Sequence, residues 1–217
     1  MEKLGLFGGS FNPIHTGHLR AAEEVREALG LDRVIFVPAA DPPHKAPAEL
    51  APVAHRLAMA RLATAQHKAF EVSDFEAARP EKSYSIFTIQ HFRETAAAGS
   101  ALFFLVGADA FAEIATWRRW REALAAAIFV VMTRPGSRVA KPADALPADF
   151  AARYKKQATG VYATPAGARL LFQPVTGLDI ASSDIRRRLA EGRSIRYLVP
   201  NTVAHYIAAH RLYVSDQ

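Results

Sequence analysis

The sequence predicts an α/β domain built on a parallel sheet, and three observations lead there. Short apolar runs alternate with longer stretches of helical periodicity along the chain. Residues 101–106 and 128–132 are apolar throughout, as strands buried on both faces are. A Gly8-Gly9 turn leads from the first apolar run into the first helical one.

Residues 4–7 form the first strand. Leu19, Ala22, Val25 and Leu29 then fall on one helical face, which Gly30 stops. Residues 34–37 make the second strand, closed by Pro38. Residues 55–67 carry Leu57, Ala60 and Ala63 at helical spacing, and 70–73 make a weaker strand. A helix over 85–98 turns Ile86, Ile89 and Phe92 inward, and strands over 101–106, 128–132 and 170–172 complete the sheet. Residues 134–149 are rich in Pro, Ala and small polar side chains and read as loop rather than core, so 134–168 is expected to be a loop or insertion. Two short helices, over 183–191 and 202–210, close the chain. No repeat or linker divides it, and all 217 residues are expected to form a single domain.

Composition narrows the setting. Half the residues are hydrophobic, enough for a substantial core, and the absence of cysteine excludes disulfides and thiolate zinc sites. The first residues hold too short an apolar stretch for a signal peptide. The longest apolar run, 123–132, is about half of what a membrane span needs, so a cytoplasmic protein with no membrane partner is expected. The net charge of +6 is dispersed, with small clusters at Arg118-Arg119-Trp120-Arg121 and Arg186-Arg187-Arg188. That distribution suits small phosphorylated substrates or a plain basic surface better than a nucleic-acid tract.

The first chemical site is the run from Gly8 to His18. Glycines let backbone approach an anion, and a helix start adds N–H donors and a partial positive charge, so Gly8-Gly9-Ser10 reads as a phosphate cradle. It lacks the spacing of a dinucleotide fingerprint and of a P-loop. His15 and His18, three apart at a helix start, lie on the same side of one turn and can aim both imidazoles at the cradled group. Attack of one phosphate on another needs no protein nucleophile. It needs alignment and donors for the charge that builds on oxygen, which two histidines can supply.

The second site is the helix start at Ile180-Ala181-Ser182-Ser183-Asp184-Ile185-Arg186. Ser182 or Ser183 can cap it, Ile185 and Leu189 turn inward, and Arg186 offers charge-assisted bonds to phosphate oxygens. Read alone, the segment is equally an ordinary capped helix with a basic face. Asp184 suits the helix dipole but would repel phosphate unless it points away.

Gly9-Ser10-Phe11-Asn12-Pro13-Ile14-His15-Thr16-Gly17-His18 resembles the Gly-x-Phe-x-Pro-x-His-x-Gly-His motif of the nucleotidyltransferase superfamily, related to class I aminoacyl-tRNA synthetases through the same His-x-Gly-His signal. The second segment is similar to that superfamily's Ile-Ser-Ser/Ala-Thr/Ser-x-Ile-Arg signature, with Ala181 in place of the first serine. Between them, in order, stand Pro42-Pro43-His44-Lys45, Ser83-Tyr84-Ser85, Gly107-Ala108-Asp109, Thr116-Trp117 and Arg134-Pro135-Gly136. Each taken alone is an unremarkable turn or strand end. In this order they resemble the bacterial nicotinate-nucleotide adenylyltransferase family. Pantetheine-phosphate adenylyltransferases and glycerol-phosphate cytidylyltransferases share the two ends but not this middle set.

The resemblance implies a Rossmann-like, doubly wound parallel sheet with a C-terminal helical portion. It implies transfer of AMP from ATP to nicotinate mononucleotide, with catalytic roles for His18, His15 and Arg186. On the ATP side it places Gly8, Gly9, Ser10, Phe11, His15, His18, Gly107, Asp109, Arg134, Ser182, Ser183, Ile185 and Arg186. On the mononucleotide side it places His44, Lys45, Tyr84, Ser85 and Trp117, the indole stacking on the pyridine ring. Mg2+ is expected to travel on the ATP phosphates, since no acidic cluster suggests a protein cage. A nicotinamide-mononucleotide or pantetheine-phosphate enzyme, a noncatalytic nucleotide sensor, or an RNA-binding surface around Trp117 to Arg121 are the alternatives. The sequence leaves assembly into a homo-oligomer open.

Overall fold

The structure is a computed structural model that describes residues 1–43, 50–79 and 81–214. Its centre is an eight-stranded sheet in the order β3-β2-β1-β4-β5-β8-β7-β6. β1 (Lys3–Gly9), β2 (Arg33–Pro38), β3 (Phe70–Val72), β4 (Ala101–Gly107), β5 (Ile128–Thr133) and β8 (Arg169–Pro174) run parallel. The expected doubly wound core is therefore present. A hairpin of β6 (Lys155–Ala158) and β7 (Val161–Ala163), absent from the sequence reading, extends the β8 edge antiparallel.

Alternation along the strands fills both faces of the sheet. In β4, Leu102, Phe104 and Val106 pack toward α3 (Ser85–Thr95) and α5 (Trp120–Ala126), while Phe103 and Leu105 pack on the opposite face. That second face is covered by α1 (Thr16–Leu29), α2 (Val53–Thr64), α7 (Ser182–Ala190) and α8 (Asn201–Ala209), through residues such as Val25, Met59, Ile185 and Val203. A parallel strand buried on both sides must be apolar at every position, which is why β4 and β5 were readable as strands.

Residues 134–149 differ from the expectation of a loop outside the core. Val139 and Leu146, together with Ala151 in the short α6 (Ala148–Ala151) and Tyr154, are buried in the α3/α5-side core. The apolar anchors are spaced too widely to produce a helical or strand period, yet they join the core cluster of Trp120 and Phe150, whose rings meet edge-on at 4.7 Å.

The chain runs from β1 outward to β2 and β3, then returns to β4 on the other side of β1 and continues to β5. The carboxyl ends of β1 and β4 thus diverge at a topological switch point, where open α/β sheets form a ligand crevice. Gly8-Gly9 and Gly107 stand there, followed respectively by α1 and by the short α4 (Ala108–Ala112).

Candidate active site

Two cavities meet at this crevice. One, of about 610 Å³, is lined by Gly8, Gly9 and Ser10 together with Pro42, Tyr84, Ser85 and Trp117. The other, of about 320 Å³, is lined by His15, Gly17, His18, Asp109, Arg134 and the Ile180-Ala181 approach to α7. Gly107 lines both. A Cβ built on it would meet nothing within 4 Å, so the residue leaves the passage between the cavities open.

The histidines are held as a pair. Their rings stack at 3.6 Å between centroids, and Phe11 and Phe7 meet the His18 ring edge-on at 5.1 and 6.1 Å. The backbone N–H of His15 donates to His18 Nδ1 at 3.2 Å. A neutral His18 with Nδ1 accepting carries its proton on Nε2, the atom at the far side of the ring from the helix start. His15 is buried, and burial together with the nearby Arg134 charge pushes its imidazole down to about 4. It is therefore neutral near pH 7. A Cβ on Gly17 would sit 3.1 Å from two atoms of the His15 ring, so glycine there lets the stack form.

The loop that leads to the histidines is pinned from several directions. Ser182 Oγ donates to the Pro13 carbonyl at 2.9 Å, and Arg186 Nη1 donates to the Asn12 carbonyl at 2.9 Å. Ser182 is therefore not the helix cap expected from the sequence. Ala181 occupies that position, and the serine hydroxyl is drawn to the loop instead. The Tyr213 hydroxyl donates to Asn12 Oδ1 at 2.8 Å, and the Ala51 amide donates to the same oxygen at 3.1 Å. Asp184 points away from the cavity and binds Arg187 and Arg188, which hold its carboxyl below the usual range. That removes the repulsion its position suggested.

Two residues assigned to ATP belong to the packing. The Phe11 side chain is buried beneath His18, and Ile185 lies in the core with its N–H bonded to the Ala181 carbonyl. Their buried side chains support the loop and the helix start. Ser183 is exposed beside the same helix start. Asp109 and Arg134 pair with each other at 3.0 Å on the rim of the smaller cavity.

On the other side, Trp117 is half-buried, braced edge-on by Phe104 at 6.3 Å with its indole lining the larger cavity. Ser85 opens α3 and Tyr84 precedes it, so the helix start faces this cavity. Ser83 Oγ accepts from the Ala40 and Asp41 amides, tying the loop after β2 to the α3 entry. Pro42 and Pro43 line the cavity, whereas His44 and Lys45 lie outside the described residues.

Sequence reasoning missed Arg56. It is 1 % exposed, and its guanidinium donates to four backbone carbonyls: Ser10 at 2.8 Å, Ala39 at 2.5 Å, Ala40 at 3.1 Å and Ala51 at 2.8 Å. It binds the Gly8-Gly9-Ser10 loop to the loop after β2. Glu76 was also missed: it is buried, lines the larger cavity and accepts from Thr88 at 2.5 Å. Burial pushes its carboxyl up. Neither belongs to a motif, and an arginine at a helical position ordinarily signals a solvated face.

The aromatic and basic side chains of the Trp117–Arg121 stretch are partly taken up by one another and by Glu122. Trp120 is buried, Arg119 pairs with Glu122, and Arg121 lies over the Trp120 ring at 4.2 Å. Among the described residues no helix is long and apolar enough to cross a membrane.

Comparison with known proteins agrees with this geometry. The cytidylyltransferase-like family model matches residues 6–188. A probable nicotinate-nucleotide adenylyltransferase of Pelobacter propionicus is 48 % identical over 97 % of this chain and 98 % of its own length. One from Geobacter sulfurreducens is 45 % identical over 99 % of both chains. Among solved structures, the Plasmodium falciparum nicotinic acid mononucleotide adenylyltransferase complexed with NaAD superposes with a TM-score of 0.74 over 98 % of each chain at 16 % identity. That last likeness is one of fold. The relatives match over nearly their whole length, and the chain belongs to the cytidylyltransferase-like family and, within it, to the nicotinate-nucleotide adenylyltransferases.

Proposed function

We propose that the protein transfers the adenylyl group of ATP to nicotinate mononucleotide, giving nicotinate adenine dinucleotide and pyrophosphate. The observation that carries this reading is the pair of cavities joined at Gly107, with the phosphate loop and the stacked histidines between them. ATP occupies the smaller cavity and the mononucleotide the larger, where Trp117 offers a face to the pyridine ring and the α3 start offers amides.

A phosphate oxygen of the mononucleotide attacks the α-phosphorus in line, and the bond to the bridging oxygen breaks to release pyrophosphate. His18 donates from Nε2 to the non-bridging oxygen on which charge builds, a bond that strengthens in the transition state. Neutral His15 and the Gly8-Gly9-Ser10 backbone orient the phosphates. Arg186 and the α7 start, with Ser182 and Ser183, receive the departing end, and Asp109 and Arg134 meet the nucleotide at the rim. Lys45 and His44 belong to the mononucleotide side on resemblance alone.

We read Mg2+ as the accompanying ion, carried on the ATP phosphates with water completing its shell. We read the chain as one cytoplasmic domain acting on small molecules, without nucleic-acid or membrane partners.

The test measures pyrophosphate release from ATP with nicotinate mononucleotide, nicotinamide mononucleotide or phosphopantetheine in turn. Release dependent on nicotinate mononucleotide is expected. Release with phosphopantetheine alone would reassign the acceptor, and ATP binding without turnover would make the protein a sensor.

A further inference from the structure

We propose that Arg118 is a specificity-determining residue, whose guanidinium selects an acceptor bearing a carboxylate on its pyridine ring over one bearing a carboxamide. The inference rests on the proposed function and deepens it.

Three charged side chains among the described residues line the larger cavity: Glu76, Glu113 and Arg118. Among the described residues, an acidic pyridine ring entering it meets two carboxyl groups and the Arg118 cation. Without Arg118 the side-chain charges there oppose the acid, and the α3 amides serve acid and amide alike as donors.

Arg118 is placed for this. It directly follows Trp117, the residue offering a ring face. Its guanidinium carbon lies 5.1 Å from the centroid of the Tyr84 ring and 5.9 Å from that of Phe87, at the entry to α3. The aromatic bracket fixes the guanidinium plane and leaves its N–H edges for an acceptor. The neighbouring arginines are engaged elsewhere, Arg119 with Glu122 and Arg121 over Trp120. Among the described residues Arg118 makes ring contacts and no ion pair. A carboxylate held against the α3 start accepts from it bidentately, whereas a carboxamide can accept at one oxygen only and presents a repelling N–H₂ beside it.

The test compares kcat/KM for nicotinate mononucleotide and nicotinamide mononucleotide in the wild type, Arg118→Gln and Arg118→Lys. Arg118 is exposed, so these substitutions leave the fold intact. Arg118→Gln is expected to lower kcat/KM for the acid roughly 10- to 100-fold, chiefly through KM, on the scale of one charge-assisted bond. The amide substrate should change less than about threefold, being bound without that bond. Arg118→Lys should recover part of the preference. An acid-to-amide ratio unchanged in Arg118→Gln, or an equal loss on both substrates, overturns the proposal while leaving the function standing. A wild type inactive on nicotinate mononucleotide overturns the function, and this proposal with it.

Discussion

Replacing Arg56 tests whether the two sides of the site share one anchor. Its guanidinium satisfies four backbone carbonyls that belong to three separate segments, and the side chain is 1 % exposed. Each hydrogen bond to a charged donor contributes about 1.5–3 kcal/mol, so four sum to roughly 6–12 kcal/mol. Keeping the charge out of water costs several kcal/mol in return, as the lowered guanidinium affinity for its proton reflects. Arg56→Met sheds that cost but strands carbonyls at Ser10, Ala39, Ala40 and Ala51. The balance is a loss of about 4 kcal/mol, a large share of an ordinary domain's stability. Arg56→Lys keeps the charge and reaches fewer of the carbonyls, for a loss of about 2 kcal/mol. Urea unfolding at pH 7 reads both values from the midpoint at constant slope. At temperatures where Arg56→Lys remains folded, its turnover should fall as well, because Ser10 and Ala39 no longer share a clamp. Stability within about 0.5 kcal/mol of wild type for both variants, the range of an ordinary surface change, would refute the reasoning.

Two further outcomes follow from the histidine pair. His18→Asn places an amide oxygen where Nδ1 accepts the His15 N–H but lacks the distal donor, so turnover should drop roughly 10²–10³-fold, as far as in His18→Ala. Single-turnover rates check this, and near-normal chemistry in His18→Asn would move the donor role to another group. His15 binds its proton less readily in the folded chain, at about 4 against the ordinary 6.5. Between those values the unfolded chain holds more protons, so stability is complete above pH 6.5 and declines as pH falls toward 4, by about 3 kcal/mol in all. Unfolding curves of wild type and His15→Gln across that range isolate this contribution. A difference between them that does not vary with pH would show that His15 is not buried neutral.

The parts legible in the sequence are those where one residue type answers one physical demand. Apolar runs announced β4 and β5 because both faces are covered, and the phosphate loop was readable because glycines, a proline and two histidines coincide. Arg56 and Glu76 were invisible for the converse reason. A charged side chain in a periodic segment looks solvated until the loops that bury it are folded around it. The β6–β7 hairpin escaped because Lys155 to Ala158 are exposed throughout and show no inward alternation. Motif membership gave no sign that the Phe11 and Ile185 side chains are buried, because it does not distinguish a side chain that faces the cavity from one that supports it. Ser182 and Ser183 were the candidate caps by position, whereas Ala181 takes the cap and the Pro13 carbonyl accepts from the Ser182 hydroxyl.

The clasp on Asn12 and Pro13 joins residues 169, 174 and 201 positions apart. A growing chain thus emerges from the ribosome with its Gly8–His18 loop complete and only its Ala51 and Arg56 anchors made, long before Ser182, Arg186 and Tyr213 exist to add theirs. Contacts of such long range form late, after the sheet has brought distant segments together. The loop that carries the histidines therefore gains its full set of anchors only once the chain has been made through Tyr213.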